Sequence, residues 1–127
     1  MKRPLDLARR FLLLADRDIR AFRRLAESDD IDDETVGFHA QQAVEKCLKA
    51  VIALHGIPFR RTHNLDELVD LLMDHHAPRP PNVELFQGLT RFAVEFRYDV
   101  DEVMSLDRAQ AHEIIEAVRR WAVDQVR

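Results

Sequence analysis

Between Val36 and Leu54 the chain carries apolar residues on two sides of a helix at once, with a glutamine and a glutamate between them. At about 100° per residue, Val36, Ala40, Ala43, Val44, Cys47, Leu48, Val51 and Leu54 form one apolar arc. Phe38 and Ile52 fall beyond its edge, and Gln41 and Glu45 lie in the gap. Such a helix is central to its fold, and its polar pair is predicted to be partly buried. Burying a carboxylate is costly unless it is paired and hydrogen-bonded, so Glu45 demands a partner from elsewhere in the chain.

The rest of the sequence supplies helices to surround it, and no segment reads as a strand. Leu5, Ala8, Leu12, Ala15, Ile19, Phe22 and Ala26 alternate steps of three and four, with Phe11 and Leu25 widening the stripe. That spacing predicts a first amphipathic helix, opened by Pro4 and closed near Glu27 or Ser28. Asp32 or Asp33 caps the second, which runs to about His55, with Gly56 as the residue beyond its end and Pro58 forbidding continuation. Asn64 followed by Glu67 predicts a capping box for a third, short helix carrying Leu65, Leu68, Val69 and Leu72 and stopping before Pro78. Leu85, Phe86, Leu89, Phe92, Ala93 and Phe96 predict a fourth helix that breaks near Arg97-Tyr98-Asp99. Asp107 caps a last one, whose face is Ile114, Ile115, Val118, Trp121, Ala122 and Val126. The fold class expected is all-α: an antiparallel up-down four-helix bundle with one additional short helix, formed by residues 1–127 as a single domain.

A chain of 127 residues with 46% hydrophobic and 33% charged residues reads as an ordinary water-soluble protein, expected in the cytoplasm. Met1 to Leu14 is interrupted by charge and does not read as a signal peptide, and no apolar run approaches the ~20 residues of a membrane span. The lone Cys47 falls on the apolar arc and is expected to be a small core residue. The net charge of −4 argues against a general nucleic-acid coat protein. Arg17, Arg20, Arg23 and Arg24 nevertheless gather on one segment. They read either as a solvated face paired with Asp16, Asp18 and Glu27, or as a local basic stripe for RNA or phosphate. His39 and His112 stand apart from one another with no metal-ligand spacing, so no metal is expected, and no nucleotide-binding loop or hydrolase motif occurs.

Three stretches resemble the signature of the HEPN family, small helical domains often found beside nucleotidyltransferases. They are the A-x-Q-A-x-E-K-x-x-K-A pattern from Ala40 to Ala50, Thr62-His63-Asn64-Leu65 after a short loop, and Arg97-Tyr98 after the fourth apolar segment. The resemblance spans roughly Asp6 to Val126 and implies the same helical fold. Many HEPN proteins are metal-independent ribonucleases that use an Arg, four to six intervening residues and a His, paired across a dimer. No Arg here precedes a His at that distance; Arg108 and His112 have only three residues between them. The family's catalytic residues therefore do not carry over, and no catalytic residue or cofactor is expected. The resemblance instead implies a homodimer that binds a nucleotide or a minimal nucleotidyltransferase partner, in a two-gene unit of the toxin–antitoxin kind.

The candidate ligand- or partner-binding residues are Gln41, Glu45, Lys49, His63, Arg97 and Tyr98. Gln41, Glu45 and Lys49 recur every four residues and form a row. Arg97, at the end of the fourth segment, is the expected partner of Glu45, in a bidentate pair that either builds a site or only fixes helix register. His63 is either a phosphate-binding or acid–base group or a residue packed ahead of the capping box. A divergent ribonuclease or toxin using Arg97, Tyr98 and His63, and a ligand-free structural adaptor dimer, are the alternative functions.

Overall fold

The computed structural model describes residues 3–93 and 104–127. Five α-helices occur among them: α1 (Pro4–Ala26), α2 (Asp33–Leu54), α3 (Leu65–Asp74), α4 (Gln87–Thr90) and α5 (Arg108–Val126), with a 3-10 turn at Val83–Leu85 before α4. No strand is present among the described residues.

Local chemistry sets the helix boundaries. Pro4 occupies the first turn of α1, where its missing N–H costs nothing. Asp32 caps α2 by accepting from the Thr35 amide at 3.0 Å. Beyond His55, Gly56 adopts φ +67°, its N–H donates to Ala53 O, and the Ile57 N–H donates to Ile52 O. This is the paired closure of a Schellman motif. Asn64 caps α3 through the amides of Asp66 and Glu67. The expected box is not reciprocal: the Asn64 N–H donates to Thr62 Oγ1 at 3.1 Å, and the Glu67 carboxylate accepts from Arg60. Helix α3 also ends in a Schellman closure, with His76 in the left-handed region at φ 58°. Asp107 caps α5 through the Gln110 amide.

The core is built by α1, α2 and α5. Ala8, Ala50 and Val126 meet at one end. At the other, Arg108 at the start of α5 reaches the end of α1 and the start of α2. Helix α1 is therefore antiparallel to both α2 and α5. Arg108 acts as a clasp: Nε donates to Asp33 Oδ1, and its terminal nitrogens donate to the carbonyls of Ala26, Ser28 and Ile31. The second oxygen of Asp33 accepts the Leu106 amide, so Asp33 ties α5 down while Asp32 does the capping. Helix α2 is buried around most of its circumference, from Val36 to Ala53. Cys47 lies in this core; burial, and then the charge of Asp16 against an opposing effect of Arg119, pushes its thiol up from 9.0 to about 12.

The expected fourth helix is where the structure departs from the pattern. Residues 83–93 form a 3-10 turn, the single-turn α4 and further tight turns. The apolar residues Phe86, Leu89 and Phe92 recur every three positions, and all are buried. That period matches three residues per turn, and the bonds Leu89 N–H to Phe86 O, Phe92 N–H to Leu89 O and Ala93 N–H to Thr90 O follow it. Phe92 seats directly on Gly37 of α2, where a Cβ would stand 2.4 Å from its ring. Phe96, also expected on this helix, lies outside the described residues.

Candidate functional site

One turn apart on α2, Gln41, Glu45 and Lys49 point toward the loop that precedes α3. Glu45 is only 2% exposed and Gln41 is fully buried. The carboxylate is satisfied on both oxygens. Oε1 accepts from Gln41 Nε2 at 3.1 Å, from Gln42 Nε2 at 3.4 Å and from His63 Nδ1 at 2.9 Å. Oε2 accepts from Lys49 Nζ at 2.9 Å. A cation and three further donors supply the pairing and hydrogen bonding that offset the burial of this acid. Gln41 also donates to the backbone carbonyl of His63 at 2.8 Å, so the loop is pinned to α2 through both its main chain and its imidazole. Lys49 Nζ lies 5.9 Å from the centroid of the Phe59 ring, which itself packs on Phe11.

Each residue of Thr62-His63-Asn64-Leu65 has a distinct job here. Thr62 accepts the Asn64 amide, Asn64 caps α3, Leu65 is fully buried, and His63 faces Glu45. With Nδ1–H donating to the carboxylate, the neutral imidazole carries its lone pair on Nε2. Nε2 has no hydrogen-bond partner among the described residues, and the side chain is 32% exposed. Arg61, two residues earlier, is exposed. The arrangement can therefore accept a proton from a ligand, or, with the ring protonated against Glu45, donate to an anion.

Gln41, Glu45, Lys49 and His63 are thus brought together. Arg97 and Tyr98 lie outside the described residues, so the expected Glu45–Arg97 pair does too. Gln42 was not among the expected site residues, although its amide bridges Gln41 Oε1 at 2.7 Å and Glu45. Its position three residues before Glu45 was the available signal.

A second polar cluster lies between α1 and α2. Asp18, 9% exposed, accepts from His39 Nδ1 at 3.1 Å and pairs with Lys46. His39 and Lys46 are seven residues apart and share a face of α2. This corrects the expectation that the acids of α1 pair with its own arginines. Asp16 is held by Arg119 of α5 at 2.7 Å, and Arg23 crosses to Glu116 of the same helix. The Asp16 hydrogen bond raises the Arg119 guanidinium above its ordinary value. Among the described residues, no group of three or more His, Cys, Asp and Glu is placed to hold a metal ion, and no helix is long and apolar enough to cross a membrane.

Compared with known families, the chain matches the model described as HEPN domain over residues 8–122. No curated protein and no solved structure matches it.

Proposed function

The chain belongs to the HEPN-domain family, and from that premise we propose that it is a noncatalytic binding subunit, taking a nucleotide or a minimal nucleotidyltransferase that presents one at the Glu45–His63–Lys49 cluster. The observation that carries this reading is the orientation of His63. Glu45 fixes its Nδ1 at 2.9 Å, which leaves Nε2 on the other side of the ring from the acid, in a side chain that is 32% exposed. Lys49 answers the carboxylate from the other oxygen. An incoming phosphate meets the imidazole and the exposed Arg61 guanidinium, a bidentate donor suited to phosphate oxygens, rather than the acid itself. The absence of an Arg followed by four to six residues and a His, within these 127 residues, favours binding over the family's RNA cleavage.

Calorimetric titration with ATP, ADP and AMP tests the reading, alongside co-purification with a minimal nucleotidyltransferase encoded next to this chain. Binding of either, weakened at least tenfold by H63A with helicity retained, supports it. No binding of any nucleotide and no complex would overturn it. A second reading, a structural adaptor dimer, draws on the fact that the Glu45 carboxylate is satisfied within its own chain. In that case H63A lowers stability, and no ligand shifts the melting temperature.

A further inference from the structure

The outer face of α1 carries Arg9, Arg10, Arg17, Arg20 and Arg24, all exposed. At 100° per residue they fall within an arc of about 100°, over an axial length of about 22 Å. Leu13, at the centre of that arc, is 60% exposed. The three acids within α1 are engaged elsewhere, and Glu27 at its C-terminal cap makes no ion pair among the described residues. Asp6 pairs with Arg3, Asp16 with Arg119, and Asp18 with Lys46 and His39. None of the five arginines has a hydrogen-bond or ion-pair partner among the described residues. A protein of net charge −4 has therefore gathered five unanswered guanidinium groups on one straight ridge, and its folding draws the local acids away from them.

Two clefts flank the ridge. One, of about 310 Å³, is lined by Leu14, Arg17, Asp18, Ala21, His39 and Lys46. The other, of about 330 Å³, is lined by Asp16, Ile19, Arg20, Arg23 and Arg119. Arg17 and Arg20 thus stand on the lips of opposite clefts.

We propose that the α1 ridge binds the phosphodiester backbone of a single-stranded nucleic acid, with the flanking clefts receiving sugar or base moieties. The site is separate from the Glu45–His63 cluster. Charge complementarity carries the choice of a polyanion, and guanidinium groups are matched to phosphate oxygens. A flexible strand can follow a straight convex ridge, whereas a duplex meets a convex helix only within a groove, and α1 is packed against α2 and α5 along its inner side. No aromatic side chain stands on the ridge, so recognition is by backbone charge and insensitive to sequence.

The test is fluorescence anisotropy with labelled oligouridylate at several salt concentrations, using the wild-type chain and R17Q/R20Q/R24Q. Gln retains helix propensity, and unchanged circular dichroism confirms the fold. Five phosphate contacts predict a log–log salt slope of about −3.5, or roughly a hundredfold loss of affinity between 50 and 200 mM salt; the triple variant, with two contacts left, predicts a slope of about −1.4. A wild-type slope shallower than −1, or equal slopes for the two proteins, would overturn the proposal. So would competition by polyglutamate as effective as by unlabelled oligouridylate, which would assign the ridge to an acidic protein. Tighter binding to a duplex of equal length would likewise overturn the single-strand assignment.

Discussion

Gly37→Ala probes the contact that seats residues 83–93 on the core. A Cβ at position 37 would lie 2.4, 2.5 and 2.8 Å from three atoms of the Phe92 ring. Carbon pairs rest at about 3.5–4.0 Å, so the ring would have to retreat by more than 1 Å, roughly. Phe92 has no exposed surface and no open side into which to move. Overpacking of this kind costs about 1–3 kcal/mol, while Ala gains about 1 kcal/mol over Gly within a helix. The expected net loss is about 0–2 kcal/mol, read as a lower urea midpoint by far-ultraviolet circular dichroism at unchanged slope. The discriminating arm is Phe92→Ala, which removes all three of those atoms. Once the ring is gone, the same Gly37→Ala change should become neutral or stabilising, giving a coupling energy of about 1–3 kcal/mol across the double-mutant cycle. A double-mutant cycle that closes without coupling would refute the packing of Phe92 on α2.

Removal of the Glu45 carboxylate leaves the Lys49 ammonium buried and unanswered, so Glu45→Ala should cost about 3–5 kcal/mol, and Lys49→Met in that background should recover a large part of it in chemical denaturation. Arg108→Ala withdraws donors from three carbonyls and from Asp33; a loss of about 2–4 kcal/mol is expected, with earlier amide exchange at the α1–α2 turn. His76→Gly relieves a left-handed non-glycine residue and should raise the denaturation midpoint by the equivalent of about 0.5–1 kcal/mol. The Cys47 thiol, protonated in the folded state up to about 12 against 9.0 as its ordinary value, makes stability fully present below pH 9 and lost as the pH climbs toward 12. A pH series of urea midpoints should show that decline, and Cys47→Ala should flatten it. Alkylation of the native protein at pH 8 should be negligible.

What the sequence discloses here is mostly local. Asp32, Asn64 and Asp107 announce helix starts because an N-cap needs only its own next three residues, and Gly56 marks an end because a left-handed residue is a single-site requirement. The position of Gln41 and Glu45 between two apolar sets announces their burial for the same reason. The partners of that buried acid are less legible. His63 arrives from a loop whose path depends on tertiary packing, and Lys49, the i+4 neighbour, is an ordinary surface spacing in most helices. Asp16 and Asp18 are misread from local sequence because arginines one to four residues away look sufficient, whereas the structure gives these acids cations from α5 and α2. The run from Leu85 to Ala93 misleads for a different reason. Over so few residues, apolar positions every three look much like one face of an α-helix, and only backbone geometry separates them.

Glu45 holds His63 by its Nδ1–H. Two-bond nitrogen–proton correlation spectra of the imidazole, recorded where the ring is neutral, report this directly. The prediction is a proton on Nδ1 and a lone pair on Nε2, with the Nδ1 proton protected from solvent exchange. A neutral ring bearing its proton on Nε2 would contradict it, because Nδ1 would then have nothing to give the buried carboxylate.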